Sequence, residues 1–162
     1  STMLESQRSM TDSTQAMTPQ QRAEHVRDRL WANDHASQAL GMAVTHIGPG
    51  TATLTMTVRR DMLNGHAICH GGLITTLADS AFAFACNAYN ELTVAAGFTM
   101  GILAPAQEGD MLTACCVEQN KGGRLGLYDV LVTNQNGVQI GLFRGRSYTA
   151  RGKPAIPANA QP

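Results

Sequence analysis

The sequence predicts an α+β domain in which a six-stranded antiparallel sheet wraps around one long central helix. Three observations carry that expectation. Six segments read as strands, the second alternating apolar and polar residues with a period of two and the later ones separated by turns rich in Gly, Asn and Asp. One stretch, from Gly71 to about residue 88, repeats apolar residues at helical spacing and is small and apolar on nearly every face, as a buried helix is. The length, 162 residues, suits a single domain with a sizeable core. That domain is expected over 18–151, between a polar, disordered N-terminal segment (1–17) and a Pro-containing disordered tail (152–162).

The first helix is expected from 19 to about 32. Thr18-Pro19-Gln20-Gln21 has the form of a helix start, with Thr as cap, Pro at the first position and Gln at the third; Ala23, Val26 and Leu30 then share a face. A short helical turn near 35–40 should end at Gly41. Strands follow at about 42–47 and 51–59 around the turn Gly48-Pro49-Gly50. In the second of them Ala52, Leu54, Met56 and Val58 line one face and four threonines the other. After the long helix come strands at about 93–104, 111–120, 125–134 and 138–149. Their turns are Gln107-Glu108-Gly109-Asp110, Lys121-Gly122-Gly123 and Gln135-Asn136-Gly137.

Composition excludes partners more than it names them. Twelve Lys and Arg balance twelve Asp and Glu, which argues against nucleic acid. No apolar run approaches the ~20 residues of a membrane span, and no secretory leader pattern is seen. The four cysteines show no C-x-x-C and no zinc spacing and read as reduced thiols of a cytoplasmic protein. Charged residues are only 15% of the chain, and their scarcity is local: from Met62 to Asn90 the only Asp, Glu, Lys or Arg is Asp79. A carboxylate in so apolar a stretch has its pKa raised unless it is hydrogen-bonded, which suits a general base. It also suits a structural Asp bonded to a nearby Thr or Asn, and this stretch alone leaves both readings open.

The segment from Met62 to Asn87 resembles the hotdog-fold acyl-CoA thioesterases of the phenylacetic acid degradation (PaaI) type. The shared pattern is Asn64, then His70-Gly71-Gly72, then Asp79, and the likeness runs from Asn33-Asp34-His35 to Leu142-Phe143-Arg144-Gly145. The resemblance implies a hotdog fold, a homodimer with a continuous sheet, commonly a homotetramer, and hydrolysis of acyl-CoA with no metal or other cofactor. It implies Asp79 as the catalytic carboxylate, Gly71 as the backbone donor to the thioester carbonyl and Asn64 as a residue positioning water or carboxylate. Arylacetyl and ring-hydroxylated arylacetyl groups are the acyl parts it suggests. The third strand departs from the family: Gly101 and Ala104 stand where Asp and Arg are frequent, and Ala95 where some relatives carry Ser.

An amide N–H at a helix start is unsatisfied and at the positive end of the dipole, so Gly71 suits an oxyanion. Asp79 then acts as base or as nucleophile, which sequence does not separate. The two lie eight residues apart on one helix, ~12 Å at 1.5 Å per residue. If both act on one carbonyl they must come from two subunits, with helices antiparallel across a two-fold axis. His70 and Gly72 are placed beside the substrate, with His70 orienting the loop or bonding the backbone. Phe82, three residues from Asp79, is a candidate for the acyl pocket, and Arg144 and Arg146, on one face of the last strand, for the phosphates of CoA. For Arg144 and Arg146 a solvated strand edge is an equal reading. Lys121 and Arg124 form a weaker pair. A metal site at His66, His70 and Asp79 and a Cys69–His70 nucleophile pair are disfavoured by spacing. The alternatives are a hotdog dehydratase or hydratase acting on acyl thioesters, and a non-catalytic acyl-CoA-binding module.

Overall fold

A computed structural model describes residues 17–156. It contains α1 (Pro19–Asn33), α2 (His35–Ala39), β1 (Ala43–Gly48), β2 (Thr51–Thr57), α3 (Gly71–Asn87), β3 (Thr93–Ile102), β4 (Met111–Gly122), β5 (Leu125–Thr133) and β6 (Gln139–Thr149). A 3-10 turn at Arg60–Met62, absent from the sequence expectation, starts the loop into α3. The strands form one antiparallel sheet in the order β1-β2-β4-β5-β6-β3, curled around α3. This is the hotdog arrangement. No helix among the described residues is long and apolar enough to cross a membrane.

Local chemistry explains the elements. Thr18 and Gln21 close a reciprocal capping box at 3.1 and 3.0 Å, as their spacing anticipates. In β2, Ala52, Leu54 and Met56 are buried against α3 while the threonines face outward. On α3, Ile74, Leu77, Ala78, Ala81 and Ala85 are almost fully enclosed. The sheet reaches the helix closely enough that a Cβ on Gly145 would lie 3.0 Å from the Phe82 ring, so β6 needs glycine there.

Three further features differ from expectation. The helix is not covered all round: Gly72 and Ala83 are exposed, and Thr76 and Asp79 half-buried, along one stripe at helical spacing. Small residues let the sheet approach closely on the other faces, but one curled sheet does not encircle a helix. Irregular pairings at Val44/His46, Glu118/Asn120 and Ala95/Gly97 were invisible in the alternation. Residues 152–156 pack rather than dangle: the Leu92 N–H donates to the Lys153 carbonyl at 2.9 Å, and the Ile156 N–H to Asn90 Oδ1 at 3.2 Å. The expected disorder of 1–16 and 157–162 lies outside the described residues.

Beyond the C-terminal end of α3, Glu118 of β4 accepts hydrogen bonds from Tyr89 Oη at 3.0 Å and Tyr128 Oη at 2.8 Å. Gly50 makes room for this cluster with φ +71°; a Cβ there would sit 2.9 Å from Tyr89 Oη. Replacing Glu118 by Ala leaves the buried Tyr128 phenol without its acceptor. The expected loss is about 2–3 kcal/mol of stability, read by urea unfolding. A change below about 0.5 kcal/mol would show that water replaces the carboxylate without penalty.

Candidate active site

The loop before α3 is built by its own backbone. The Asn64 N–H bonds Ile68 O at 2.8 Å, the His70 N–H bonds Met62 O at 2.8 Å, and the Cys69 N–H is anchored to Ala106 O at 2.8 Å. Asn64 Oδ1 accepts the His66 N–H at 2.9 Å and the Ile68 N–H at 3.4 Å. That Asx turn consumes the acceptor end of the side chain and leaves the Nδ2 hydrogens as its working donors. Asn64 is therefore equipped to donate to a carbonyl or a water, not to act as an acceptor.

His70 is the N-cap of α3. Its Nδ1 accepts the Gly72 N–H at 3.2 Å, which puts the ring proton on Nε2 in the neutral form, and its carbonyl accepts the Leu73 and Ile74 N–H groups. The Gly71 N–H is left with no hydrogen bond among the described residues. The cap thus satisfies the first turn except at the one amide that the spacing singles out. A Cβ on Gly71 would meet only Ile102, at 3.7 Å, so nothing within the described chain demands glycine there. A cleft of about 380 Å³ opens at this helix end, lined by Asp61, Leu63, His70 and Gly72.

Asp79 is half-buried on the uncovered stripe of α3. Its carboxylate makes no hydrogen bond and no ion pair with the described residues. The nearby threonines bond their own helix instead, Thr75 to Gly71 O and Thr76 to Gly72 O, each at 2.8 Å. Burial alone raises the Asp79 pKa. Its charge, added to stronger burial, helps push the Cys86 thiol up to about 12. The structural reading of Asp79 is therefore not realised, because no Thr or Asn holds it.

Other candidates are redistributed. Phe82 does not line an open pocket: it is 1% exposed, edge-on to Tyr128 at 5.5 Å and tilted against Phe143 at 5.7 Å. Helical spacing from Asp79 gave its direction along the axis but not its turn toward β6. Arg144 is held by Asp129 through a two-pronged pair at 2.7 and 2.8 Å, so it is not a free phosphate ligand. Arg146 has no such partner among the described residues. Lys121 pairs with Glu91 and lies over the Tyr89 ring. Cys69 is buried with its thiol pushed up, far from a nucleophile pair with His70. Among the described residues no group of three His, Cys, Asp or Glu is placed to hold a metal.

Phe98, which was not a candidate from sequence, joins the aromatic cluster of Phe82 and Phe143. It stacks on Phe143 at 4.9 Å, on the helix side of the edge strand β3, yet remains 45% exposed. Val94 and Ile102 of this strand, and Leu103 just past its end, are also about half exposed. Its own sequence carried the signal: a strand apolar on both faces, at a sheet edge, implies a cover.

Comparison with known proteins identifies the family. The family model described as the thioesterase superfamily matches residues 66–140. The acyl-coenzyme A thioesterase PaaI of Escherichia coli strain K12 is 42% identical over 123 residues, 76% of this chain and 88% of that protein. The solved E. coli PaaI protein, from the phenylacetic acid degradation operon, superposes with a TM-score of 0.82 at 38% identity, over 84% of this chain and 99% of that one. A mutant of the phenylacetic acid degradation protein PaaI from Thermus thermophilus gives 0.69 at 36% identity, over 71% and 98%.

Proposed function

Because the chain belongs to the thioesterase superfamily, we propose that it hydrolyses acyl-CoA thioesters to a free acid and CoA, with arylacetyl or ring-hydroxylated arylacetyl groups as the acyl part. The observation that carries this reading is Asp79: a carboxylate raised by burial, bonded to nothing among the described residues, on the open stripe of a helix whose first amide is also unbonded.

The site is composite. Gly71 and Asp79 are ~12 Å apart along α3, so the carbonyl polarised by one subunit meets the carboxylate of another. A homodimer whose α3 helices run antiparallel, with the apolar β3 edges adjoining, supplies both; pairing of dimers into a tetramer is the family habit. The Gly71 N–H and Asn64 Nδ2 stabilise the oxyanion as the carbonyl becomes tetrahedral. Asp79 of the second subunit removes a proton from water as it attacks, or itself attacks to give an anhydride that water then opens. The C–S bond breaks and CoA leaves as thiolate. His70 fixes the helix start and, through Nε2–H, adds a donor beside the cleft. Gly101 and Ala104 offer no polar side chain, so β3 contacts the acyl group through Phe98 and backbone.

Thiol release from a panel of acyl-CoA substrates tests both parts. Phenylacetyl-CoA and hydroxyphenylacetyl-CoA are expected to exceed acetyl-CoA and hexanoyl-CoA in kcat/KM by about tenfold or more. Equal rates across the panel would remove the arylacetyl assignment. Hydration of an enoyl-CoA without thiol release would replace hydrolysis by the dehydratase reading.

A further inference from the structure

Asn33-Asp34-His35 takes no part in the chemistry above, yet Asp34 sits at a joint. It is the C-cap of α1 and the N-cap of α2, so the two helices meet at its backbone. Its Oδ1 accepts the Ser37 N–H at 3.0 Å, and its Oδ2 accepts the Ser37 hydroxyl at 2.7 Å. Ser37 is 1% exposed, and its Oγ lies 2.9 Å from Ser80 Oγ on α3, 43 residues away in sequence. Ser80 is the residue after Asp79. One turn further along α3, Phe84 packs on Trp31 of α1 with ring centroids 6.4 Å apart. Successive helical residues turn by about 100°. The α1–α2 elbow thus grips the flank of α3 that adjoins the stripe carrying Asp79.

The direction of the hydroxyl protons follows from which groups can donate. Both Asp34 side-chain oxygens are acceptors, so the Ser37 proton is committed to Asp34. Ser37 Oγ then has only lone pairs to offer, and Ser80 must donate to it. Ser80 differs in this from Thr75 and Thr76, whose hydroxyls bond back to carbonyls of their own helix at 2.8 Å. The chain from Ser80 through Ser37 to Asp34 fastens α3 to the elbow by directional bonds. The sheet, by contrast, holds α3 through apolar packing, which has no preferred angle.

We propose that Asp34 and Ser37 are positioning residues for Asp79: through Ser80 they set the rotation of α3 that aims the carboxylate at the thioester. The inference rests on the reading of Asp79 as the catalytic carboxylate, and it assigns what directs that group. The carboxylate bonds nothing among the described residues, so its direction is left to the helix that carries it. A side-chain atom roughly 5–6 Å from a helix axis moves by ~1 Å when the helix turns by about 10°. A misplacement of that size can cost ~10²-fold in rate. A small loosening of the elbow is therefore enough to be read in turnover.

Thiol release is measured with whichever acyl-CoA of the panel turns over fastest. Ser37→Ala is expected to lower kcat about tenfold with KM within about twofold of wild type, because substrate still binds but meets a misdirected carboxylate. Asp34→Asn keeps the shape and exchanges an acceptor oxygen for an N–H donor, and is expected to act in the same direction. Ser80→Thr keeps the hydroxyl and is expected to stay within about threefold of wild type. Thr18→Ala removes the capping box at the other end of α1 and leaves the elbow intact, so its kcat should stay within about twofold. The deciding measurement adds Ser37→Ala to Asp79→Asn. With the carboxylate gone there is nothing left to aim, so the residual turnover should change by less than about twofold. An equal fall in both backgrounds, a fall carried by KM, or no fall in Ser37→Ala and Asp34→Asn overturns the proposal while leaving the thioesterase reading intact. Undiminished turnover in Asp79→Asn removes that residue from the reaction and the positioning role with it. Absence of thiol release from every acyl-CoA removes the thioesterase reading as well.

Discussion

Replacing Asp79 by Asn is expected to lower acyl-CoA turnover by roughly 10²- to 10⁴-fold, the range for loss of a general base, while the chain stays folded. The amide keeps the shape of the carboxylate and breaks no hydrogen bond, since Asp79 makes none with the described residues. Stability moves the other way from activity. Burial raises the Asp79 pKa, so the folded state holds that proton more tightly than the unfolded state. Ionising the group therefore costs stability as pH rises from the ordinary carboxylate range through the folded pKa, and the penalty is complete above it. The Asp79→Asn variant carries no such penalty, so its thermal unfolding at neutral pH is expected at or above the wild-type midpoint, with the difference vanishing below about pH 3.8. The wild-type rate, in turn, falls as pH drops through the folded pKa, and the variant lacks that limb. A variant turning over within about threefold of wild type would remove Asp79 from the reaction. A neutral-pH midpoint well below wild type would mean that the carboxylate is held by something the isolated chain does not contain.

Most of the architecture could be read from the chain because each element was locally consistent. The capping box at Thr18, the alternation of β2 and the turn residues all pointed to the same sheet-on-helix packing. The position of the candidate site was legible for a related reason. Charge is so scarce between Met62 and Asn90 that Asp79 stands out without any structure. What could not be read depends on direction around an axis and on partners distant in sequence. Helical spacing brings Phe82 to the level of Asp79, but only the glycine at 145 on a distant strand decides that the ring turns into the core. Strand alternation puts Arg144 and Arg146 on one face, yet only the register with β5 sets Asp129 opposite Arg144 and Leu127 opposite Arg146. The bulge at Ala95/Gly97 has no compositional signature beyond a glycine, and it decides where the Arg146 guanidinium lies.

Subunit mixing gives the largest qualitative effect. Asp79→Ala and Asn64→Ala homodimers each lack one half of every site and are expected to be nearly inactive. After subunit exchange, a heterodimer joins an intact Asn64–Gly71 loop from one chain to an intact Asp79 from the other, and so holds one complete site. Random exchange makes half of the dimers heterodimeric, which restores roughly a quarter of wild-type activity from two nearly inactive preparations. Asn64→Ala also removes Oδ1 from the Asx turn to His66 and Ile68, so failure with that variant has two explanations. Asn64→Asp separates them: it keeps an oxygen that holds the loop and exchanges the Nδ2 donor for a second carboxylate oxygen and its charge. Rescue with Asn64→Asp requires that the donor and the carboxylate act across the dimer. A site within one chain predicts no rescue with either variant, because every chain in the mixture carries a defect. The helix geometry sets this contrast, since ~12 Å along α3 is too far for one carbonyl to touch both groups of the same chain.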